Sequence, residues 1–290
     1  MESFLVKYQG NDTDQHIIDS QQYGESMVGN GKLYVSVAYF CTYGEVLKPR
    51  QATEIKCYTT EAKSGSYDTG LIVAASATQL PLFAGLYKPC MDWLIGQLTK
   101  YIKDKLTGRG NVEKLAETIS ESAKRSDELN LVLVNGILKA NDHMADINKT
   151  LLEKLPGLVE ANKGNMKRAV TPIGRSCNEI THFTGSENEF DILEADAAAI
   201  RSKDELEVDD MKDYECSLIS ELNTKTGHCH LHLTELHKHV VGKISDPLLQ
   251  EPGNIYSKSL DAQTGFKFKA KATLKDGEIY RLYVSDASCT

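Results

Sequence analysis

The short apolar-rich run SFLVKYQ (residues 3–9) reads as a strand, closed by the turn-forming GNDTD. From Ser20 to Tyr43 the spacing changes. Leu33, Val37 and Phe40 recur with Tyr34, Ala38 and Cys41 at threes and fours, the period of a helix with one buried face, and Gly29-Asn30-Gly31 marks a weak place inside it. ATEIKCYTTE (52–61) alternates, with Ile55, Cys57 and Thr59 set against Glu54, Lys56 and Tyr58. KSGS then turns the chain and YDTGLIVAA (67–75) runs back, so the start reads as a compact β-α-β-β sheet with one covering helix.

Residues 80–165 follow the helical period. Leu86, Cys90, Trp93, Leu94 and Leu98 with Tyr101 and Ile102 form one stripe, TGRG (107–110) breaks it, and Val112, Leu115, Ile119 and Ala123 begin another. Leu131, Val134, Ile137 and Leu138, then Met144, Ile147, Leu151, Leu155 and Leu158, keep spacings that suit helix-on-helix packing within the chain or between subunits. The last third is strand-like: YECSLI (214–219), HCHLHL (228–233), HVVGKI (239–244), FKFKAKATLK (266–275) and EIYRLYV (278–284) are short, β-rich and separated by turn residues. Lys275-Asp276-Gly277-Glu278 signals a hairpin, because Asp-Gly tolerates the positive φ angles of a type I′ turn. The class is therefore α+β: a small N-terminal α/β sheet (1–79), a helical middle (80–168) and a C-terminal antiparallel β barrel or sandwich (169–290).

Composition narrows the classes further. Hydrophobic residues at 41% and charged residues at 26% exclude a disordered, collagenous or coiled-coil chain. MESFLVKYQG shows neither a basic leader nor a long apolar run, so a cytoplasmic protein without a membrane span is expected. The seven cysteines, Cys41, Cys57, Cys90, Cys177, Cys216, Cys229 and Cys289, include no CxxC pair and read as free thiols of a reducing compartment. The net charge of −8 is concentrated in residues 187–213, where eleven Asp or Glu face three Lys or Arg; a solvated connector with an amphipathic piece near Ile192–Ile200 is expected there. No broad basic footprint is left, which argues against nucleic acid as a partner.

The candidate chemistry is concentrated in GHCHLHLTELHKHVV (227–241). On a strand, His228, His230 and His232 share one face, with His237 and His239 arriving across a turn, and imidazole is a common ligand for divalent metals. Same-face neighbours lie about 6.6–7 Å apart, so three converge on one ion only with help from another strand; the alternative is the wet face of a half-buried strand. Asp12, Asp14 and His16 alternate after the first strand end and suit acid-base or metal chemistry, though Asp and Asn also hold loops by bonding local backbone. Lys267, Lys269 and Lys271 share a strand face that could contact phosphates or simply protect an edge. GESMVG (24–29) has the wrong spacing for a nucleophile elbow, and no phosphate-binding glycine loop occurs.

Phe4 to Gly10 with Asp12 to Asp19, Gly65-Ser66-Tyr67, Gly242 to Pro247 and Lys275 to Ile279 resemble uncharacterised bacterial and prophage-encoded proteins of unknown function. The resemblance covers both ends and not the helical middle; it implies a bacterial or phage protein with a link to phage defence or its inhibition, and it carries no catalytic residue. With no complete catalytic constellation present, the expected function is a non-enzymatic, self-associating binding or assembly protein acting on another protein. It needs no cofactor. The alternative is a metal-dependent hydrolase or nuclease built on the His228–His239 cluster.

Overall fold

The computed structural model describes residues 4–60, 67–74, 88–138 and 147–288. The expected KSGS turn, Leu86, Met144 and Cys289 lie outside them. The chain divides into two compact units, residues 1–193 and 194–290.

The first unit carries a five-stranded antiparallel sheet. Its strands are β1 (Phe4–Gln9), β2 (Lys56–Thr59), β3 (Tyr67–Ala74), β4 (Glu179–His182) and β5 (Phe190–Ile192), in the order β2-β3-β1-β4-β5. Its helices are α1 (Ser20–Tyr43), α2 (Lys88–Leu106), α3 (Val112–Arg125), α4 (Asp127–Asn135) and α5 (Ile147–Ala169). The opening sheet is thus larger than β-α-β-β. Two of its strands arrive after the helices, with Val6 and Tyr8 of β1 registered against His182 and Ile180 of β4.

Helix α1 starts where Asp19 accepts the Gln22 amide at 2.9 Å and stops at Gly44, whose φ of 62° lets its amide reach the Phe40 carbonyl. Gly29-Asn30-Gly31 is not a weak place: the helix runs straight through it. Packing explains the glycine, because a Cβ at Gly29 would meet the Ala169 nitrogen at 2.3 Å and the Asn165 carbonyl at 2.7 Å, both on α5. The backbones of α1 and α5 touch at this point, and Ser26 donates to the Ala169 carbonyl at 2.6 Å one turn away. Tyr8, Tyr23 and Tyr34 tie the same layer together through hydroxyl contacts to Ser26 (3.0 Å), Thr69 (2.6 Å) and His182 Nδ1 (2.8 Å). Leu151, Leu155 and Leu158 of α5 are fully buried, as are Leu94, Leu98 and Ile102 of α2 and Ile119 of α3.

The second unit contains α6 (Glu194–Arg201), β6 (Glu207–Val208), β7 (Lys212–Leu222), β8 (His228–Leu233), β9 (Lys238–Ile244), α7 (Ile255–Ala262), β10 (Phe266–Lys275) and β11 (Glu278–Ser288). Barrel is the correct alternative to sandwich. Strands β7, β8 and β9 form a meander, β9 runs parallel to β11, β11 pairs with β10, and β10 returns to β7, closing five strands into a ring. Asp276 and Gly277 both adopt positive φ, 54° and 80°, as the β10–β11 turn demanded. Cys216, Ile219, Leu231, Leu233, Phe266, Phe268, Leu282 and Val284 fill the interior, and Tyr256 of α7 enters the same core with its hydroxyl donating to Asp246 at 2.6 Å.

The acidic stretch is not wholly a solvated connector. Glu194 and Asp196 are buried, the first bonded to Lys243 and to the Ser245 hydroxyl (2.6 Å), the second to Lys271 at 3.2 Å. Two carboxylates are affordable there because a lysine meets each.

Candidate functional site

The alternation in HCHLHL survives in three dimensions. Cys229, Leu231 and Leu233 point into the barrel, while His228, His230 and His232 line its outside. In register, His228 lies beside Lys243, His230 between Glu221 and Val241, and His232 beside His239. The His232 and His239 rings are 4.7 Å apart in an edge-on arrangement, and His230 Nε2 sits 3.8 Å from a Glu221 carboxylate oxygen. His237 occupies the turn between the two strands with a φ of 48°.

The Ser217 hydroxyl fixes one ring. It lies 2.7 Å from His232 Nδ1 and 3.2 Å from the His232 carbonyl. One hydroxyl hydrogen serves both contacts only if it goes to the carbonyl and Nδ1–H donates back to the oxygen, an arrangement in which Nε2 takes no part. Among the described residues, no group of three or more His, Cys, Asp or Glu is arranged to hold a metal ion. His232 and His239 form the close imidazole pair.

The face continues past His228 into a cavity of about 370 Å³ between α6 and the outer barrel wall. Arg201, Lys243 and Arg281 line it with His228, Glu194, Tyr280 and Tyr283. A second cavity of about 250 Å³, under the β7–β8 hairpin, shares His228 as a wall and also includes Glu221 and His230. Desolvation, then the charges of Arg281 and Lys243, hold the His228 imidazole below its ordinary pKa of 6.5, against a smaller opposing pull from Glu194. The cationic cavity escaped sequence reading because its residues come from three separate segments. Only the interleaved Tyr280-Arg281 and Tyr283 of β11 hinted at it.

The lysine row lies elsewhere on the barrel. Lys267 faces Glu215, Lys269 faces Asp213 and Asp286, and Lys271 binds Asp196. Asp12, Asp14 and His16 are exposed in the 3-10 turn Asn11–Gln15 of the first unit. Asp14 accepts the Gly10 amide at 3.0 Å, and His16 ends the turn in the left-handed region at a φ of 59°.

Among the described histidines, the most deeply buried is one outside the candidate clusters. His182 in β4 is fully enclosed, stacked on Phe190 at 5.1 Å, with Nδ1 on Tyr34 and no partner for Nε2 among the described residues. Burial, reinforced by the Lys103 charge, lowers its pKa from 6.5 to about 3, so the ring is neutral at physiological pH.

Comparison with known proteins finds two family models along the chain. A family-of-unknown-function model, DUF7947, matches residues 210–288, essentially the barrel. No curated protein and no solved structure matches the chain. A model described as a domain of unknown function, DUF7946, matches residues 4–201, more than half the chain, and the protein therefore belongs to the DUF7946 family.

Proposed function

We propose that the C-terminal barrel binds single-stranded nucleic acid across the outside of β8 and β9. The topology motivates the reading: a three-strand meander, a helix before the fourth strand, a parallel pairing of the third and fifth strands and closure of the fourth on the first. This is the strand order of the oligonucleotide- and oligosaccharide-binding barrels, in which the second and third strands and the first-second and fourth-fifth loops carry the ligand. That step is analogy of fold, and the chemistry of the site has to support it.

The supporting observation is the placement of the histidine row. His228, His230, His232 and His239 all fall on that face, with Lys243 at one end and Lys225 in the adjoining β7–β8 loop. Flat imidazoles stack on unpaired bases, the two lysines meet phosphates, and a sheet edge-on to a single strand needs no groove for a duplex. The overall charge of −8 limits how much of the affinity electrostatics supplies, so stacking carries more of it.

Fluorescence anisotropy with single-stranded and duplex oligonucleotides tests the proposal. Binding of the single strand, weakened by a His230→Ala, His232→Ala double replacement by about 10-fold or more, is expected from stacking worth about 1–3 kcal/mol per base. Absence of single-strand binding at low salt, with the protein folded, overturns the reading.

A second reading is favoured by the close approach of the His232 and His239 rings, with the Ser217 hydroxyl holding His232 through Nδ1. A divalent metal held there would activate water for hydrolysis of the same class of ligand. Elemental analysis of tag-free protein, repeated on His232→Ala, decides it: stoichiometric metal lost in the variant supports the reading, and metal-free native protein after incubation with zinc or manganese sinks it.

A further inference from the structure

We infer that the cavity between α6 and the barrel wall is a subsite for a nucleotide phosphate, placed at the end of the β8–β9 face. The inference deepens the nucleic-acid reading and rests on it only for the source of the nucleotide.

Charge comes first. The cavity walls carry Arg201, Lys243 and Arg281 against one carboxylate, Glu194, and that carboxylate is already engaged by Lys243 and by the Ser245 hydroxyl. The lining therefore holds more cations than anions in a chain that is acidic as a whole. Guanidinium groups present paired N–H donors in a plane that matches phosphate oxygens, and two of the three cations are arginines.

An unmet hydrogen-bonding group points the same way. The Nε of Arg281 is buried with no hydrogen-bond acceptor among the described residues. Buried donors are ordinarily satisfied, so this guanidinium lines the cavity with its own hydrogen-bonding capacity incompletely used inside the fold. The guanidinium is held in place by its contact with the Tyr283 hydroxyl, on a side chain that α6 covers.

Size and surroundings select the ligand class. About 370 Å³ exceeds what a bare phosphate needs and falls at the lower end of small-molecule sites. Tyr280, on the same wall, is half exposed and offers a ring on which a base can stack. His228 lines this cavity and also the one that includes His230, so a chain of nucleotides leaving the phosphate subsite continues onto the imidazole face. The occupant is thus the phosphomonoester of a nucleotide, either free or at the end of a single strand.

The experiment separates the two sources and separates this inference from the broader reading. Full-length protein is titrated with a nucleoside monophosphate by calorimetry. It is also titrated, by anisotropy, with one short pyrimidine oligonucleotide prepared with hydroxyl ends, with a 5′-phosphate and with a 3′-phosphate. The expected result is that one terminal phosphate tightens oligonucleotide binding about tenfold, and that Arg281→Gln and Arg201→Gln each remove that gain while binding of the hydroxyl-ended strand stays unchanged. Arg201→Gln keeps the test valid if the partly buried Arg281 position does not tolerate replacement. Hydroxyl-ended strand that binds with no gain from either phosphate, and no calorimetric signal from the monophosphate, refutes the subsite and leaves the imidazole face standing. Monophosphate binding that is lost in both arginine variants, with no oligonucleotide binding at all, supports the subsite for a free nucleotide and refutes the broader reading.

Discussion

Two glycines in one helix are expected to respond to the same substitution with opposite signs. Gly24 and Gly29 both lie in α1, and replacing either by Ala gains about 0.5–1 kcal/mol from backbone entropy and helix propensity. At Gly24 nothing lies within 4 Å of the new Cβ, so the gain is kept. At Gly29 the new carbon would sit 2.3 Å from the Ala169 nitrogen, and ordinary contact begins near 3.4 Å, so α1 and α5 must part by about 1.1 Å. Backbone cannot swing aside as a side chain can. A gap of that size forfeits about a quarter to a half of the dispersion energy of each contact it opens. Leu33 and Val37 on α1 and Leu155 and Leu158 on α5 are fully buried, so there is little slack to absorb it. Overpacking typically costs about 1–3 kcal/mol, and a clash with backbone belongs at the upper end, leaving Gly29→Ala destabilised by about 2 kcal/mol net. Urea denaturation followed by tryptophan fluorescence reports on the correct unit, because the chain's one tryptophan, Trp93, is in α2. The midpoint of Gly29→Ala should fall by about 0.7–1 M and that of Gly24→Ala should rise slightly. Equal midpoints for the two variants would refute the close helix crossing on which the account of this unit depends.

The buried histidine makes stability depend on pH. Since His182 titrates near 3 when folded and near 6.5 when unfolded, its contribution is complete above pH 6.5 and is lost progressively on acidification toward pH 3. At about 1.4 kcal/mol for each pH unit, the native protein should lose about 2 kcal/mol between pH 7 and pH 5 that a His182→Gln variant does not lose; parallel profiles for the two proteins would mean the ring is not buried neutral. Self-association is the other open expectation, and Leu131 of α4 and Leu152 of α5 are 47% and 40% exposed, apolar surface that a second copy could cover. Light scattering should then give a mass above the 32.1 kDa of one chain, returning to it on Leu131→Glu with Leu152→Glu, whereas a monomer at all concentrations rules this contact out.

Local periodicity carried most of the fold. The strands at 228–233 and 266–275 and the helix at 20–43 have the bounds that alternation and threes-and-fours spacing set, because each buries one face against one core. The membership of β4 and β5 in the first sheet left no such mark. The pairing of β4 with β1 joins residues 170 or more positions apart, β5 joins the sheet through β4, and a register between distant segments is decided by which hydrophobic face is left to cover, which no short window contains. Gly29 misled for a related reason: a glycine inside a helical pattern reads as weakness until the backbone it admits is known. Buried Glu194 and Asp196 likewise look solvated in a run of acids, since only their partners Lys243 and Lys271, in two later strands, show which carboxylates turn inward. The histidine face was legible because all its members but one lie within a single alternating strand and its turn; the cationic cavity was not, because α6, β9 and β11 each supply one cation.

On the barrel a count of lysines and acids says little about where positive potential collects. On β10 the lysines that invited a phosphate face Asp213, Glu215 and Asp286 across the sheet, or bind Asp196, so their field is largely cancelled within a few ångströms. In the cavity beside His228 the order is reversed: a single carboxylate is bonded to one lysine, and two guanidinium groups add to the potential in a partly enclosed space, where screening by water is weaker. Desolvation first, and then the charges of Arg281 and Lys243, hold the His228 imidazole below its ordinary pKa, so the two cations act in the same direction at this wall. A chain of net charge −8 can therefore present a positive site, and Arg201, Lys243 and Arg281, more than the lysine row, are the residues to change first.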